Sequence, residues 1–347
     1  MHRFIKPALG STGLVLALAA CGGSGSGSGG GEAPLGSKEN VAHELAVLGS
    51  LFITSFDAGP ADFATGKALA SSPSRAKGWS HGTLPRAAAR PAKSRMGSGS
   101  RLKTSTSRCS GDGTASHDDG AKIVNYAFYG NVSASTDYDQ FVYSNCVETY
   151  DSTTLTTNGF SETGETPTAM SGYYYAYDRA GQGSTPLTWR YVEETGNKTT
   201  TDITQRALGL IEYRNASNGS STSYKQLGSF EGQGTIDGED GSVVIDYGRG
   251  NTPITYTETA AGESVDGDYA YSSAGCEGAE INIATLTPIA FGTTYATPVA
   301  GKIKLTSDAH SVTITFQSNG SATLQFGNGD SATLTQSEIE RADPDNC

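Results

Sequence analysis

The stretch that decides the fold lies near the carboxyl end of the chain: Ser311-Val-Thr-Ile-Thr-Phe-Gln317, Ser321-Ala-Thr-Leu-Gln-Phe326 and Ser331-Ala-Thr-Leu-Thr335. Apolar and polar residues alternate within each run, which gives every strand one apolar and one polar face. Asn319-Gly320 and Asn328-Gly329 separate the runs. Asn-Gly between alternating runs is a strong hairpin signal, because both residues tolerate the positive φ of a type I′ turn. The sequence therefore predicts a three-stranded antiparallel meander with one buried face.

The same alternating pattern extends back to Lys122. Short runs of Val, Ile, Thr, Tyr and Phe recur between clusters of Gly, Asn and Asp. So many strands require a closed sheet or a second layer. We predict a mainly β fold, an antiparallel β-barrel or β-sandwich built from meander hairpins, with one short N-terminal helix and a disordered linker. Ser-Ala-Thr-Leu, which occurs twice, is the one internal repeat that stands out, and it fits self-similar hairpins.

The helix is predicted from residues 40–56, within a segment assigned to residues 39–62. Its apolar positions are Val41, Leu45, Leu48, Phe52 and Phe56, a spacing typical of an amphipathic helix of about four turns. The polar face lacks Lys and Arg, which favours packing on the main domain over binding to a membrane surface.

A basic stretch separates this helix from the strands. Residues 63–111 contain ten Lys or Arg and no Asp or Glu, whereas residues 112–347 contain 31 acidic and 11 basic residues. The stretch is rich in Ala, Ser, Gly and Pro, so we predict a disordered linker over 63–108 and an all-β domain over 109–347. The linker is either a solvated spacer, which could fold back on the acidic domain, or a segment attracted to envelope phosphates and carboxylates. It lacks the aromatic interleaving typical of nucleic-acid binding, so no nucleic-acid partner is expected.

The amino end carries a targeting signal. Arg3 and Lys6 precede an apolar run that ends in Leu18-Ala19-Ala20-Cys21. The run is too short for a membrane-spanning helix, which needs about 18 or more apolar residues. The alternative is an ordinary secretory signal cut after Ala17-Leu18-Ala19, which leaves Cys21 without a role.

This pattern resembles the signal peptide and lipobox of bacterial lipoproteins. The resemblance implies that residues 1–20 are removed, that Cys21 receives a diacylglyceryl group, and that its new amino group is acylated. Residues 21–38 would then be the lipidated cysteine and a Gly/Ser tether. Gly22 stands where an Asp would, in many Gram-negative lipoproteins, retain the protein at the inner membrane, so an outer-membrane location is implied, with the leaflet left open. The arrangement is also similar to Gly-tethered surface lipoproteins of the transferrin-binding-protein type, a likeness that transfers no functional residues.

Four cysteines remain after Cys21. An even number in an exported chain predicts two disulfides among Cys109, Cys146, Cys276 and Cys347, with three connectivities possible. Loop lengths favour Cys109–Cys146 and Cys276–Cys347. No Cys-x-x-Cys occurs, and we expect neither a metal site nor a cofactor.

Catalytic motifs are weak. No Gly-x-Ser-x-Gly occurs, and His43-Glu44 lacks the second histidine of a zinc helix. His117-Asp118-Asp119 could orient a base, but its Gly-rich surroundings favour a polar loop.

Aromatic residues give the candidate binding face. Tyr173, Tyr175 and Tyr177 share one side of a predicted strand, and Trp189 and Tyr191 follow in the next strand. Such a face suits a glycan or a protein partner, because a tyrosine ring offers area and its hydroxyl a polar tip. Cross-strand packing is the alternative.

Together these features predict an envelope lipoprotein held to the membrane by its lipid. We expect a non-catalytic binding or structural module with an envelope glycan or protein as partner. The alternative is a lipid-anchored hydrolase that uses carboxylates of the β-domain. No catalytic residue can be named from the sequence.

Overall fold

The computed structural model describes residues 35–51, 105–150, 152–196, 198–236, 238–273, 276–291 and 298–342. The helices are α1 (Lys38–Leu51) and α2 (Gln336–Arg341), and a short 3-10 helix spans Ala127–Tyr129. The strands are β1 (Ser105–Arg108), β2 (Asp112–Tyr126), β3 (Val132–Tyr150), β4 (Thr153–Glu165), β5 (Tyr173–Ala180), β6 (Leu187–Thr195), β7 (Lys198–Ala216), β8 (Ser221–Ile236), β9 (Glu239–Tyr247), β10 (Ile254–Thr259), β11 (Gly262–Ser273), β12 (Cys276–Phe291), β13 (Pro298–Thr306), β14 (Ser311–Phe316), β15 (Ala322–Phe326) and β16 (Ser331–Leu334). The predicted mainly antiparallel β class is confirmed.

All the strands belong to one antiparallel sheet of 16 strands. It runs from β1 to β16 in chain order, with two exceptions. β5 and β6 lie end to end between β4 and β7, and β9 and β10 lie end to end between β8 and β11. Within the described strands, β1 and β16 are the two edges and do not pair with each other.

The predicted C-terminal meander is β14, β15 and β16, but its turns differ from the prediction. Gly320 and Gly329 have positive φ (79° and 97°), whereas Asn319 and Asn328 do not. The turns are therefore three-residue loops that end in a left-handed glycine, and the type I′ assignment is wrong. Each Asn instead accepts a backbone N–H two residues ahead through its side chain, at 3.1 Å from Ser321 and 3.0 Å from Asp330.

The first helix packs into the core along one side. Val41, Leu45 and Leu48 are fully buried, as predicted, but no residue from 40 to 48 is exposed. Glu44, only 7% exposed, accepts a hydrogen bond of 2.9 Å from the Tyr269 hydroxyl of β11, and Lys38 pairs with Glu338 of α2 at 2.7 Å. The helix keeps a less buried side, formed by the exposed Glu39 and the half-buried Ala42, His43 and Ala46, as an amphipathic helix does. Residues 52–56 of the prediction lie outside the described residues.

The two faces of the sheet carry separate clusters. We call the face that packs against α1 the inner face; its buried side chains, with those of α1, form the main core. The opposite, outer face carries a smaller cluster of Tyr126, Ala134, Tyr175 and Tyr177. The inner face therefore holds the fold together, and the outer face is the more available for other uses.

The cysteines and segment boundaries are only partly within the described residues. Cys109 and Cys146 form a disulfide with their Cα atoms 5.4 Å apart, which confirms that predicted pair. The predicted bridge between Cys276 and Cys347, the lipidated Cys21 and the segments 1–20, 21–34 and 63–104 fall outside the residues whose side chains are described. β1 pairs with β2 from Ser105 onward, so the sheet begins four residues before the predicted boundary at 109.

Neither of the described helices is long and apolar enough to cross a membrane.

The contact between α1 and α2 predicts a pH dependence of stability. Lys38, followed by the Thr335 backbone and side chain, lowers the pKa of Glu338 from its usual 4.5 to about 2. A carboxyl group with a depressed folded-state pKa stabilises the fold above about pH 4.5, and this contribution is lost as the pH falls through about 2. In urea titrations from pH 7 to pH 2, the stability difference between the wild type and Glu338→Gln should shrink as the pH drops.

Lys38→Gln serves as the control, because the lysine is the largest cause of the shift. In its background the Glu338→Gln difference should depend much less on pH. A wild-type advantage that stays constant down to pH 2 would contradict the proposed ion pair.

Candidate binding surface

The candidate surface is the outer face where β5, β7 and β8 meet. Direct partners in an antiparallel pair share a face, and Tyr175 and Tyr177 of β5 lie opposite Arg214 and Glu212 of β7. The 3-10 helix Ala127–Tyr129 crosses over these strands. Gly130, with φ of 79°, ends it and lets the chain turn back into β3.

Glu212 fixes this crossing segment to the sheet. Its carboxylate, 2% exposed, accepts backbone N–H groups of Ala127 at 3.0 Å and Phe128 at 2.9 Å. Burial raises the pKa of Glu212, and the two N–H donors partly offset that rise. Lys225 adds a bond of 2.9 Å to the carbonyl of Phe128. The segment is thus held by β7 and β8 together.

An arginine lies between two tyrosine rings beside this crossing. The guanidinium carbon of Arg214 is 4.8 Å from the ring centroids of both Tyr129 and Tyr173. The Tyr129 hydroxyl donates to the carbonyl of Ser223 at 2.9 Å and shares a hydrogen bond of 3.1 Å with the Ser223 hydroxyl. Burial raises the pKa of Tyr129. Arg214 and both rings are half-buried, and Arg214 makes no ion pair with any described residue. Its N–H donors are therefore positioned but not committed to a carboxylate.

A second polar group on the same face is satisfied internally. Glu162, 3% exposed, accepts a hydrogen bond of 2.9 Å from the Tyr177 hydroxyl and another from the Lys122 ammonium. That ammonium also lies 4.4 Å from the Tyr138 ring centroid. These groups form hydrogen bonds with one another within the sheet. They therefore stabilise it and are poorly available to a ligand.

The five aromatic residues predicted as one binding face are divided between the two faces. Trp189 and Tyr191 lie opposite Gln205 and Ile203 of β7, on the inner face, whereas Tyr173, Tyr175 and Tyr177 lie on the outer face. The reason is the connection between β5 and β6. Ala180 pairs with Gly209 of β7, and Leu187 pairs with Ala207. Seven positions along the chain therefore correspond to two positions along β7. Because seven is odd and two is even, odd-numbered residues lie on the outer face in β5 and on the inner face in β6.

Burial separates these residues further. Tyr175, Tyr177 and Trp189 are 6%, 2% and 8% exposed, so they pack in the protein and cannot offer a flat aromatic surface. Tyr191 is half-buried on the inner face. Of the predicted set, only Tyr173 lies half-buried on the outer face.

His117 lies in a strand, and the predicted polar loop is wrong. Residues 112–120 belong to β2 and pair along β3, which overrides their turn-forming composition. The His117 ring stacks on Phe141 at 4.6 Å, and its Nε2 lies 3.4 Å from Asp139. These contacts account for the histidine as a cross-strand brace.

Two concave features stand out in the described part of the chain, and neither is lined by Asp or Glu. One is a shallow depression beside the start of α2, lined by Asn319, Ser321, Thr335, Gln336 and Ser337. The other is an enclosed space for about one water molecule beside Gln226 and Tyr224. Across the described ranges, no group of three or more His, Cys, Asp or Glu is placed to hold a metal ion.

Comparison of the chain with protein-family models, with curated proteins and with solved structures finds no match.

The sequence analysis missed Tyr129, Arg214 and Glu212. Tyr129 and Ser223 are 94 residues apart, and Ala127 and Glu212 are 85 apart. The available local signal was Gly130-Asn131 directly after Ala-Phe-Tyr, which marks a tight turn at the end of a strand. It could place Tyr129 beside a turn but not over β7.

Proposed function

We propose that this chain is a bacterial lipoprotein, anchored to the outer membrane through Cys21, and that its β-sheet is a non-catalytic binding module. The outer face is its binding surface. The observation that carries this proposal is the Arg214 guanidinium held between Tyr129 and Tyr173 without an ion pair. The partner is an envelope glycan or protein that presents a carboxylate or phosphate group there.

The arrangement favours binding for two physical reasons. A planar guanidinium matches carboxylate and phosphate geometry with paired N–H donors. A side chain already held by two rings loses little conformational entropy when a partner arrives. Arginine and tyrosine are also the residue types that most often dominate binding energy at interfaces. The hydrolase alternative requires two converging acids in a cleft, and neither concave feature described above supplies them.

Crosslinking and capture from native envelopes test the binding surface. The full-length protein is compared with Arg214→Ala, Arg214→Lys and the control Arg206→Ala. Arg206 lies on the same strand and face but already faces Glu231 at 3.7 Å. We expect Arg214→Ala to reduce partner recovery at least tenfold, Arg214→Lys to recover part of it, and Arg206→Ala to match the wild type. Equal recovery with Arg214→Ala would contradict the assignment of the surface.

Lipidation is tested separately. Cys21→Ser should leave the protein unprocessed or release it in soluble form, since the thiol is the acceptor of the lipid. Mass spectrometry of the mature amino end is the measurement. An unmodified Cys21, or a mature chain that begins at another residue, would contradict the anchor.

A further inference from the structure

Two loops of the outer face have nearly the same sequence. Gly181-Gln-Gly-Ser-Thr-Pro-Leu187 joins β5 to β6, and Gly248-Arg-Gly-Asn-Thr-Pro-Ile254 joins β9 to β10. They share both glycines, the threonine and the proline, and each ends in a branched apolar residue. The sequence analysis did not detect this repeat, because the segments that flank it differ.

The two loops also have the same backbone structure. Gln182 and Thr185 exchange two backbone hydrogen bonds of 2.9 and 3.0 Å, and Arg249 and Thr252 exchange two of 2.9 Å. The φ angles of the glycines are 74° and 60° in the first loop, and 76° and 59° in the second. These left-handed conformations explain why glycine is repeated at both places.

The strands around the loops are related by an approximate two-fold axis. The N–H of Gly181 bonds to the carbonyl of Phe160 in β4, and that of Gly248 bonds to the carbonyl of Asp268 in β11, both at 2.8 Å. The residues preceding these acceptors, Gly159 and Gly267, both have positive φ.

The axis passes between Gly209 of β7 and Gly228 of β8, which lie directly opposite each other. Rotation about this axis places Ala207 at the position of Gln226. Leu187, which pairs with Ala207, is in the same way equivalent to Ile254, which pairs with Gln226. The sheet from β4 to β11 therefore consists of two similar halves.

Both loops project from the outer face. A Cβ added to Gly181 would lie 2.6 Å from Cδ1 of Leu208, and one added to Gly248 would lie 2.8 Å from Cδ1 of Leu227. Residues an even number of positions apart in a strand share a face. Leu208 is four positions from Glu212 in β7, and Leu227 is two positions from Lys225 in β8, so both leucines lie on the outer face. Two strands separate the loops, which places them about 14 Å apart at the strand spacing of antiparallel sheets.

The tips of the loops present polar side chains to solvent. The exposed residues are Gln182, Ser184, Thr185, Arg249, Asn251 and Thr252. Arg249 pairs with Glu280 of β12 at 2.8 Å. The other five exposed residues carry amides and hydroxyls, whereas the repeated backbone requires only the glycines. Amides and hydroxyls both donate and accept hydrogen bonds, which is the chemistry that recognises sugar hydroxyl and acetamido groups.

We propose that the two loops are equivalent contact points for one polymer that repeats the same polar group, an envelope glycan strand. This inference rests on the proposed function only for placing the protein in the envelope. Each loop alone provides a small, weak contact. Two linked contacts on one strand bind far more tightly than either alone, because the second contact forms at high effective concentration.

Co-sedimentation with purified peptidoglycan sacculi tests this proposal, and a parallel arm with lipopolysaccharide vesicles distinguishes the two glycan sources. The variants are Gln182→Ala with Ser184→Ala, Asn251→Ala with Thr252→Ala, and all four together. The matched control is Gln317→Ala with Ser318→Ala, the same residue types exposed in the β14–β15 turn. Circular dichroism and the melting temperature verify that each variant folds.

We expect the wild type and the control to bind one of the two glycans, each loop variant to lose at least tenfold in apparent affinity, and the combined variant to fall to background. A combined variant that binds like the wild type, or a wild type that binds neither glycan, would overturn the inference. The Arg214 capture experiment is read independently. If Arg214→Ala captures as much partner as the wild type while the loop variants lose glycan binding, only the Arg214 surface is contradicted. If Arg214→Ala loses its partner while the loop variants still bind glycan, only the loop pair is contradicted.

Discussion

Leu45→Ala is expected to lower the free energy of unfolding by about 2–5 kcal/mol, the range for truncating a fully buried leucine. Leu45 has no exposed surface and belongs to the main core, so its truncation leaves a cavity among packed side chains. Urea denaturation followed by tyrosine fluorescence gives the midpoint and the slope from which this value is obtained.

Glu39→Ala is the matched control, because Glu39 lies in the first turn of the same helix and is exposed. It should change the stability by no more than about 0.5 kcal/mol. If Leu45→Ala changed the free energy of unfolding as little as Glu39→Ala, the placement of α1 in the core would be contradicted.

Cys109→Ser should cost about 4 kcal/mol, and Cys146→Ser should cost the same. The bridge spans 37 residues, and chain entropy gives a cross-link of that length about this value. The bridge joins Cys109, which follows the edge strand β1, to Cys146 of β3, and β1 has β2 as its single neighbouring strand. The loss should therefore be largest in hydrogen–deuterium exchange of β1 and β2.

The double variant Cys109→Ser with Cys146→Ser distinguishes the bridge from local packing. A single bridge predicts that it is no less stable than either single variant. Costs that add in the double variant would mean that the two side chains contribute separately. Reduction of the wild type should cost at least as much as either single variant, because it also opens any bridge between Cys276 and Cys347.

The strands could be predicted because their signals are local. The alternation in residues 311–335 fixes which side chains of β14, β15 and β16 are buried, and neighbouring strands pair through short turns. The turn type was missed because Asn-Gly suits more than one loop geometry. In this chain the Asn side chain caps the turn instead of adopting positive φ.

The faces of β5 and β6 could not be predicted, for a different reason. When the loop has an odd number of positions and spans an even number of positions on the neighbouring strand, odd-numbered residues change from one face of the sheet to the other. The sequence does not show how many positions of the neighbouring strand a loop spans. This reversal moved Trp189 and Tyr191 away from Tyr173.

The environment of α1 and of Arg214 depends on distant parts of the chain. Glu44 meets Tyr269 across 225 residues, and Tyr129 meets Ser223 across 94. Periodicity shows which side of a helix is apolar, but not which distant strands pack against it. Local reasoning therefore could not find the candidate site as a whole, although Tyr173 was among the predicted binding residues.

The buried side of α1 has a consequence for how the chain reaches its native state. α1 is synthesised before any of the described strands, and its partner Tyr269 follows 225 residues later. Contacts of such sequence separation form slowly, since a long loop must close before they contribute. Until β11 emerges, the apolar side chains of α1 have no native site to occupy. The apolar side chains of α1 thus stay without their native contacts during most of the chain's synthesis, and a segment in that state is prone to aggregate.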